Sequence, residues 1–160
     1  MSPNNNGGRV QTEERPAPMA KPTPSLTVAL LQARESAMGF FRPHLNQHGL
    51  TEQQWRVIRI LKQVPDHQLE SHELADIACI LRPSLTGVLV RLEKAGYVKR
   101  WKPPTDQRRL CVGLTDKGHA LFDAMSEEMN RQYQRIQRQL GKENYKTLME
   151  LLQKLQGIKP

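Results

Sequence analysis

Two groups of side chains have the types and spacing to recognise a polyanion. The first is Lys99, Arg100, Lys102, Arg108 and Arg109, clustered within eleven residues and opposed there only by Asp106. The second is Ser84, Thr86, Gly87, Arg91 and Lys94. These stay outside when Leu85, Leu89, Leu92 and Ala95 take the buried face of a helix. A slender helix with hydroxyls and arginines outside suits the major groove of DNA, where an arginine can bond guanine twice. The neighbouring cations would serve phosphates or a minor groove. Most loop arginines are merely solvated. Here the segment is basic and stiffened by Pro103 and Pro104, which favours contact with DNA. Asp106 is also a natural turn initiator.

A second set suits a small organic acid. Arg34, Arg42, Arg56 and Arg59 fall on two neighbouring helical segments otherwise rich in apolar residues. One or two of them can pair with a carboxylate, with Phe41 and Trp55 walling an aromatic ring. The competing reading is a set of surface cations with snorkelling stems. Arg34 and Arg42 lead among the candidates, with Arg59 behind them. His44 and His48 have zinc-ligand spacing but lack further ligands, so no metal is expected. Cys79 and Cys111 each sit in an apolar run, which favours buried structural thiols over a redox switch, although Cys111 stands beside basic residues and leaves that role open. There is no phosphate loop, no Gly-x-Ser-x-Gly and no His-Glu-x-x-His, so neither an enzyme nor a bound cofactor is expected.

Elements that would position these groups follow from periodicity and caps. Ser25 caps a helix carrying Leu26, Leu30, Ala33, Ala37, Phe40 and Phe41, which Pro43 should kink or end. Thr51 and Gln54 form a capping box for a helix with Trp55, Ile58, Leu61 and Val64, stopped by Pro65. Ser71 should cap a third helix through Leu74, Ala75, Ala78 and Leu81. A fourth runs over 83–95, with Pro83 at its first position and Gly96 just past its end. Residues 97–102 and 109–114 read as a two-stranded ribbon. Thr115 caps a long helix with Leu121, Met125, Met129, Ile136 and Leu140. Gly141 breaks it, and Tyr145, Leu148, Leu152 and Leu155 mark a last helix.

The chain has 160 residues and a formal charge of +8, with a pI near 9.8. Residues 1–24 are rich in Asn, Gly and Pro and read as a disordered tail contributing little of that charge. The remainder is the length of one domain. No apolar run could cross a bilayer and no secretory leader is visible, so the expected location is the cytoplasm without membrane attachment. Apolar helices at both ends exceed what one small chain can cover, which predicts a homodimer.

The segment 106–118, DQRRLCVGLTDKG, resembles the wing signature of the MarR family of winged helix-turn-helix repressors: Asp, Arg two later, then Val-x-Leu-Thr-x-x-Gly. The runs SLTVALLQARESAM, LTEQQWRVIRIL and ACILRPSLTGVL resemble a subgroup regulating homoprotocatechuate degradation. Relatives with the same runs control fatty-acid efflux, so the subgroup does not fix the ligand. The resemblance implies a mainly α fold with a small β-wing. Residues 49–115 would form the DNA-binding lobe, and 25–48 with 116–158 the dimerisation region. Arg82, Ser84 and Thr86 would start the reading helix, Arg108 would enter the minor groove, and Asp106 would hold it. A small aromatic or heteroaromatic acid would bind between dimer helices and lobe and release the dimer from a pseudo-palindrome. A fatty-acid effector is the alternative.

Overall fold

The computed structural model describes Met1 and residues 21–160; most of the expected tail therefore lies outside the described residues. Among the described residues, seven helices accompany a small three-stranded antiparallel sheet. Helix α1 (Leu26–Met38) starts under Ser25, whose hydroxyl accepts from the Val28 amide. It stops well before Pro43: Phe40 and Phe41 lie in a turn, and Pro43 sits in the first turn of a separate helix, α2 (Arg42–Gln47). A proline is harmless there because first-turn amides have no helical acceptor, so it starts a helix rather than kinking one.

Helix α3 (Glu52–Gln63) opens with the expected Thr51–Gln54 capping box, and buries Trp55, Val57, Ile58 and Leu61. A single 3-10 turn (Pro65–His67) leads to strand β1 (Gln68–Glu70), which the sequence reading missed. Three residues are too few to show a period of two. β1 pairs with β3 (Cys111–Leu114), which also pairs with β2 (Val98–Trp101). The expected ribbon is thus a three-stranded sheet ordered β1-β3-β2.

Helix α4 (Ser71–Ala78) is capped by Glu70, reciprocally with Glu73; Ser71 is its first helical residue instead of its cap. It also ends earlier than expected. Cys79 turns left-handed at φ 52°, and Leu81 lies beyond the helix, 78 % exposed. Cys79 is itself exposed and Cys111 only partly buried, which corrects the expectation of two buried thiols. A tight turn between two helices has no interior to offer its central side chain. Helix α5 (Arg82–Lys94) then buries Leu85, Val88, Leu89 and Leu92.

Helix α6 (Asp116–Leu140) begins under Thr115, and α7 (Lys142–Gln156) follows Gly141. α6 buries Met125 and Met129 against the shared core, while Leu140 is exposed. Gln132 is buried on the same stripe. Its amide donates to Glu128 Oε1 at 2.5 Å, and its carbonyl accepts from Arg135 Nη1 at 2.8 Å. Helices α1 and α7 bury no residue at all.

Candidate nucleic-acid interface and effector cavity

The turn between α4 and α5 is fixed from behind. Arg56, on α3, donates to the Ala78 carbonyl at 2.7 Å, satisfying a C-terminal carbonyl of α4. Arg56 is thereby occupied in the lobe. Past the turn, Arg82, Ser84 and Thr86 are all exposed along the first turns of α5. The Thr86 hydroxyl bonds back to the Arg82 carbonyl at 3.3 Å. Arg91 is exposed further along, its guanidinium lying back toward the bare Cα of Gly87. Neither Arg82 nor Arg91 has an ion-pair partner among the described residues.

The wing separates its cations into two kinds. Arg109 is bonded to Glu70, at the end of β1, which raises its pKa. Arg100 bonds Glu93 of α5 at 3.1 Å, and Glu93 also accepts the Arg100 amide at 3.0 Å. These bonds hold the Glu93 carboxyl below its ordinary range, against a smaller effect of burial. The two pairs tie wing to lobe. Lys99 and Lys102 are exposed, and the Arg108 side chain is 93 % exposed at the tip. Asp106 Oδ1 accepts from the Arg108 amide at 3.0 Å and lies 3.4 Å from its Nε. A cleft of about 410 Å³ lies between α5 and the wing, lined by Arg82, Thr86, Arg108 and Arg109 with Glu70 and His72.

The four arginines fall on the first three helices, Arg34 on α1, Arg42 on α2 and Arg56 and Arg59 on α3, and they part company. Arg34 and Arg42 close a ring with two glutamates. Arg34 reaches Glu35 at 2.9 Å and Glu52 at 2.5 Å; Arg42 reaches both at 2.6 Å. Burial pushes the Glu52 carboxyl up, but the bonds from Arg42 and Arg34 outweigh it and hold it low. The same bonds raise the pKa of Arg42. Each guanidinium already has its carboxylates.

Arg59 is different. It lines a cavity of about 160 Å³ between α3 and α6 with Trp55, Gln63, Phe122, Ser126, Met129, Asn130 and Tyr133. Trp55 and Phe122 stack with centroids 5.5 Å apart. Arg59 bonds the Tyr133 hydroxyl and lies 4.9 Å from that ring's centroid. Phe41 packs on Tyr133, centroids 4.6 Å apart. The volume is near that of a cavity that holds one benzene ring, the walls are aromatic, and Arg59 has no carboxylate partner among the described residues.

The MarR family model matches residues 50–110. The homoprotocatechuate degradative operon repressor of Escherichia coli is 50 % identical over 129 residues, spanning 81 % of this chain and 86 % of its own. The chain belongs to the MarR family. The crystal structure of the transcriptional regulator PA4135 is 62 % identical, with a TM-score of 0.81 over 86 % of this chain and all of that one. NadR in complex with 4-hydroxyphenylacetate is 46 % identical, with a TM-score of 0.74 over 89 % of this chain and all of that one.

This MarR-type repressor gathers Arg82, Thr86, Arg108 and Arg109 at one cleft, and Trp55 and Arg59 at one cavity. It does not gather Arg34 and Arg42 with that cavity. Sequence reasoning missed Glu70, Glu93, Phe122 and Tyr133. The glutamates carried no signal: Glu70 is 39 residues from Arg109, and Glu93 meets Arg100, seven residues on, only across the turn that joins α5 to β2. Tyr133 did: it stands four residues after Met129 on the buried stripe of α6, where a phenol needs a partner. His44 Nε2 lies 3.2 Å from Glu128, and no three His, Cys, Asp or Glu side chains among the described residues converge to hold a metal.

Proposed function

We propose that this transcriptional repressor grips a pseudo-palindromic promoter site as a homodimer and is released by a small aromatic or heteroaromatic carboxylic acid, a catabolic intermediate. Residues 49–115 form the reading lobe, with α5 in the major groove and Arg108 in the minor groove. Residues 25–48 and 116–158 form the dimer region. The observation that carries the effector reading is Arg59: a guanidinium at an aromatic cavity of one-ring size, with donors to spare beyond its bond to Tyr133. The ligand-bound neighbour holds a molecule of that chemistry, a phenol with a carboxylate.

The cavity lies between α3 of the lobe and α6, the helix continuing into the dimer region. A ligand there sets the angle between lobe and dimer axis. It releases DNA to the extent that it prefers a lobe spacing that misfits the two half-sites. Apolar exposure supports the dimer: Leu26 is 62 % and Leu31 63 % exposed on α1, and Leu151 57 % on α7. Two helices with bare apolar surface, α1 and α7, fit one another's needs better than they fit water.

The test is operator release by a panel of 4-hydroxyphenylacetate, 3,4-dihydroxyphenylacetate, hydroxynicotinates and long-chain fatty acids. Arg59→Gln should bind operator as the wild type does and need about 10- to 100-fold more aryl acid for release. That range corresponds to a charge-assisted bond of roughly 1.5–3 kcal/mol. Release by fatty acids alone would reject the aryl-acid reading. Equal sensitivity of Arg59→Gln and wild type would move the site elsewhere.

A further inference from the structure

Leu81 breaks two local rules at once. It is the N-cap of α5, confirmed by its carbonyl accepting the Leu85 amide at 2.9 Å. Leucine is among the poorest N-caps, since it offers no oxygen to the free first-turn amides. Ser25, Thr51 and Thr115 do supply one to α1, α3 and α6. Leu81 is also 78 % exposed, more than any other large apolar residue described beyond Met1. The core does not need it. Ile80 and Leu85, 5 % and 1 % exposed, already supply the buried pair that flanks a helix start. A residue that gives up a cap and buries nothing is placed for something outside the fold.

Its surroundings say what. Leu81 precedes Arg82 directly, and Arg82 and Thr86 share the cationic cleft with Arg108. A polyanion is the occupant that this charge fits. The apolar feature that a DNA major groove offers is the C5-methyl group of thymine. We infer that Leu81 is a specificity-determining residue, packing its isobutyl group on a thymine methyl beside the base read by Arg82. The inference rests on α5 being the reading helix.

Thymine-to-uracil replacement removes that methyl and nothing else. An operator would be selected from randomised duplexes with the full chain, then each thymine replaced singly by uracil. For the wild type, one position per half-site should weaken binding about fourfold. That factor is the transfer free energy of one buried methyl at 1.4 kcal/mol per tenfold. Leu81→Ser should lose this dependence and Leu81→Met should keep it. Leu81→Ser should also raise Tm by about 2–4 °C, because serine restores the cap. Stability up with discrimination down is a pair of signs that a merely structural leucine would not give. Uniform affinity across all uracil duplexes for the wild type, or an equal uracil penalty in Leu81→Ser, would overturn the inference. If Arg82→Ala meanwhile lowers operator preference, Leu81 alone is rejected. If Arg82→Ala leaves that preference intact, the assignment of α5 as reading helix falls and takes Leu81 with it.

Discussion

Arg108 and Arg109 are adjacent in the chain and are held by different things. Arg108 is free at the wing tip apart from Asp106, while Arg109 is locked to Glu70. Their alanine variants should therefore separate. Arg108→Ala should lower operator affinity and flatten its salt dependence by about one unit of slope, leaving thermal stability unchanged. Arg109→Ala should lower both affinity and stability, because it also unties the wing from β1. Filter binding across a salt titration, beside a melting curve for each variant, reads the contrast. Equal melting temperatures would show that the Glu70 bond does not hold the wing. At the same scale, Arg82→Ala should reduce the operator-to-random affinity ratio more than it reduces random binding.

Elements meet most tightly where β3 passes into α6. Gly118 lies in the first turn of α6 against the residue that leads into β2: a Cβ built there would fall 2.2 Å from the Tyr97 carbonyl oxygen and 2.9 Å from Leu114 Cδ2. The Thr115 hydroxyl bonds both the Gly96 carbonyl, at 2.5 Å, and the Gly118 amide, at 3.1 Å. The last residue of the wing signature is thus a packing requirement: α6 can approach the sheet only without a side chain. Gly118→Ala should destabilise the lobe by about 1–3 kcal/mol or more, as overpacking against backbone does. Urea titration measures it, and a loss under 0.5 kcal/mol would mean that the helix start can shift freely.

The whole molecule carries two further expectations. Sedimentation at micromolar concentration should show a dimer, with α1 and α7 providing its apolar seam. A stable monomer with full operator affinity would defeat that architecture. The second concerns pH. His119, in the first turns of α6, stacks edge-on against His67 with centroids 4.6 Å apart, and the Lys62 amine is 3.1 Å from its Nδ1. Burial lowers the His119 pKa, and Lys62 and His67 lower it further, against Asp123 and Asp116. A histidine kept neutral by the fold gains its proton more readily when unfolded. Its stabilising contribution is thus complete above the unfolded pKa, ~6.5, and declines as pH falls below that. Tm should drop on acidification below that point, with a shallower slope for His119→Gln.

What the sequence determined by itself is what local rules encode. Thr51, Gln54 and Thr115 signal helix starts through their own backbone geometry, and the spacing of Leu85, Leu89 and Leu92 sets a buried face with no knowledge of what covers it. The wing signature placed Arg108 and Asp106 on one turn because they are two residues apart. Tertiary structure decided which arginines are free. Arg34, Arg42, Arg56 and Arg59 are equivalent by composition. Only the packing of α1, α2 and α3 brings Glu35 and Glu52 to the first two, only the turn after α4 gives Arg56 its carbonyl, and only α6 brings Tyr133 to Arg59. A strand of three residues and the exposure of Leu81 and Cys79 were likewise illegible in the chain. Pairing and burial are properties of neighbours distant in sequence, and periodicity within one segment carries no record of them.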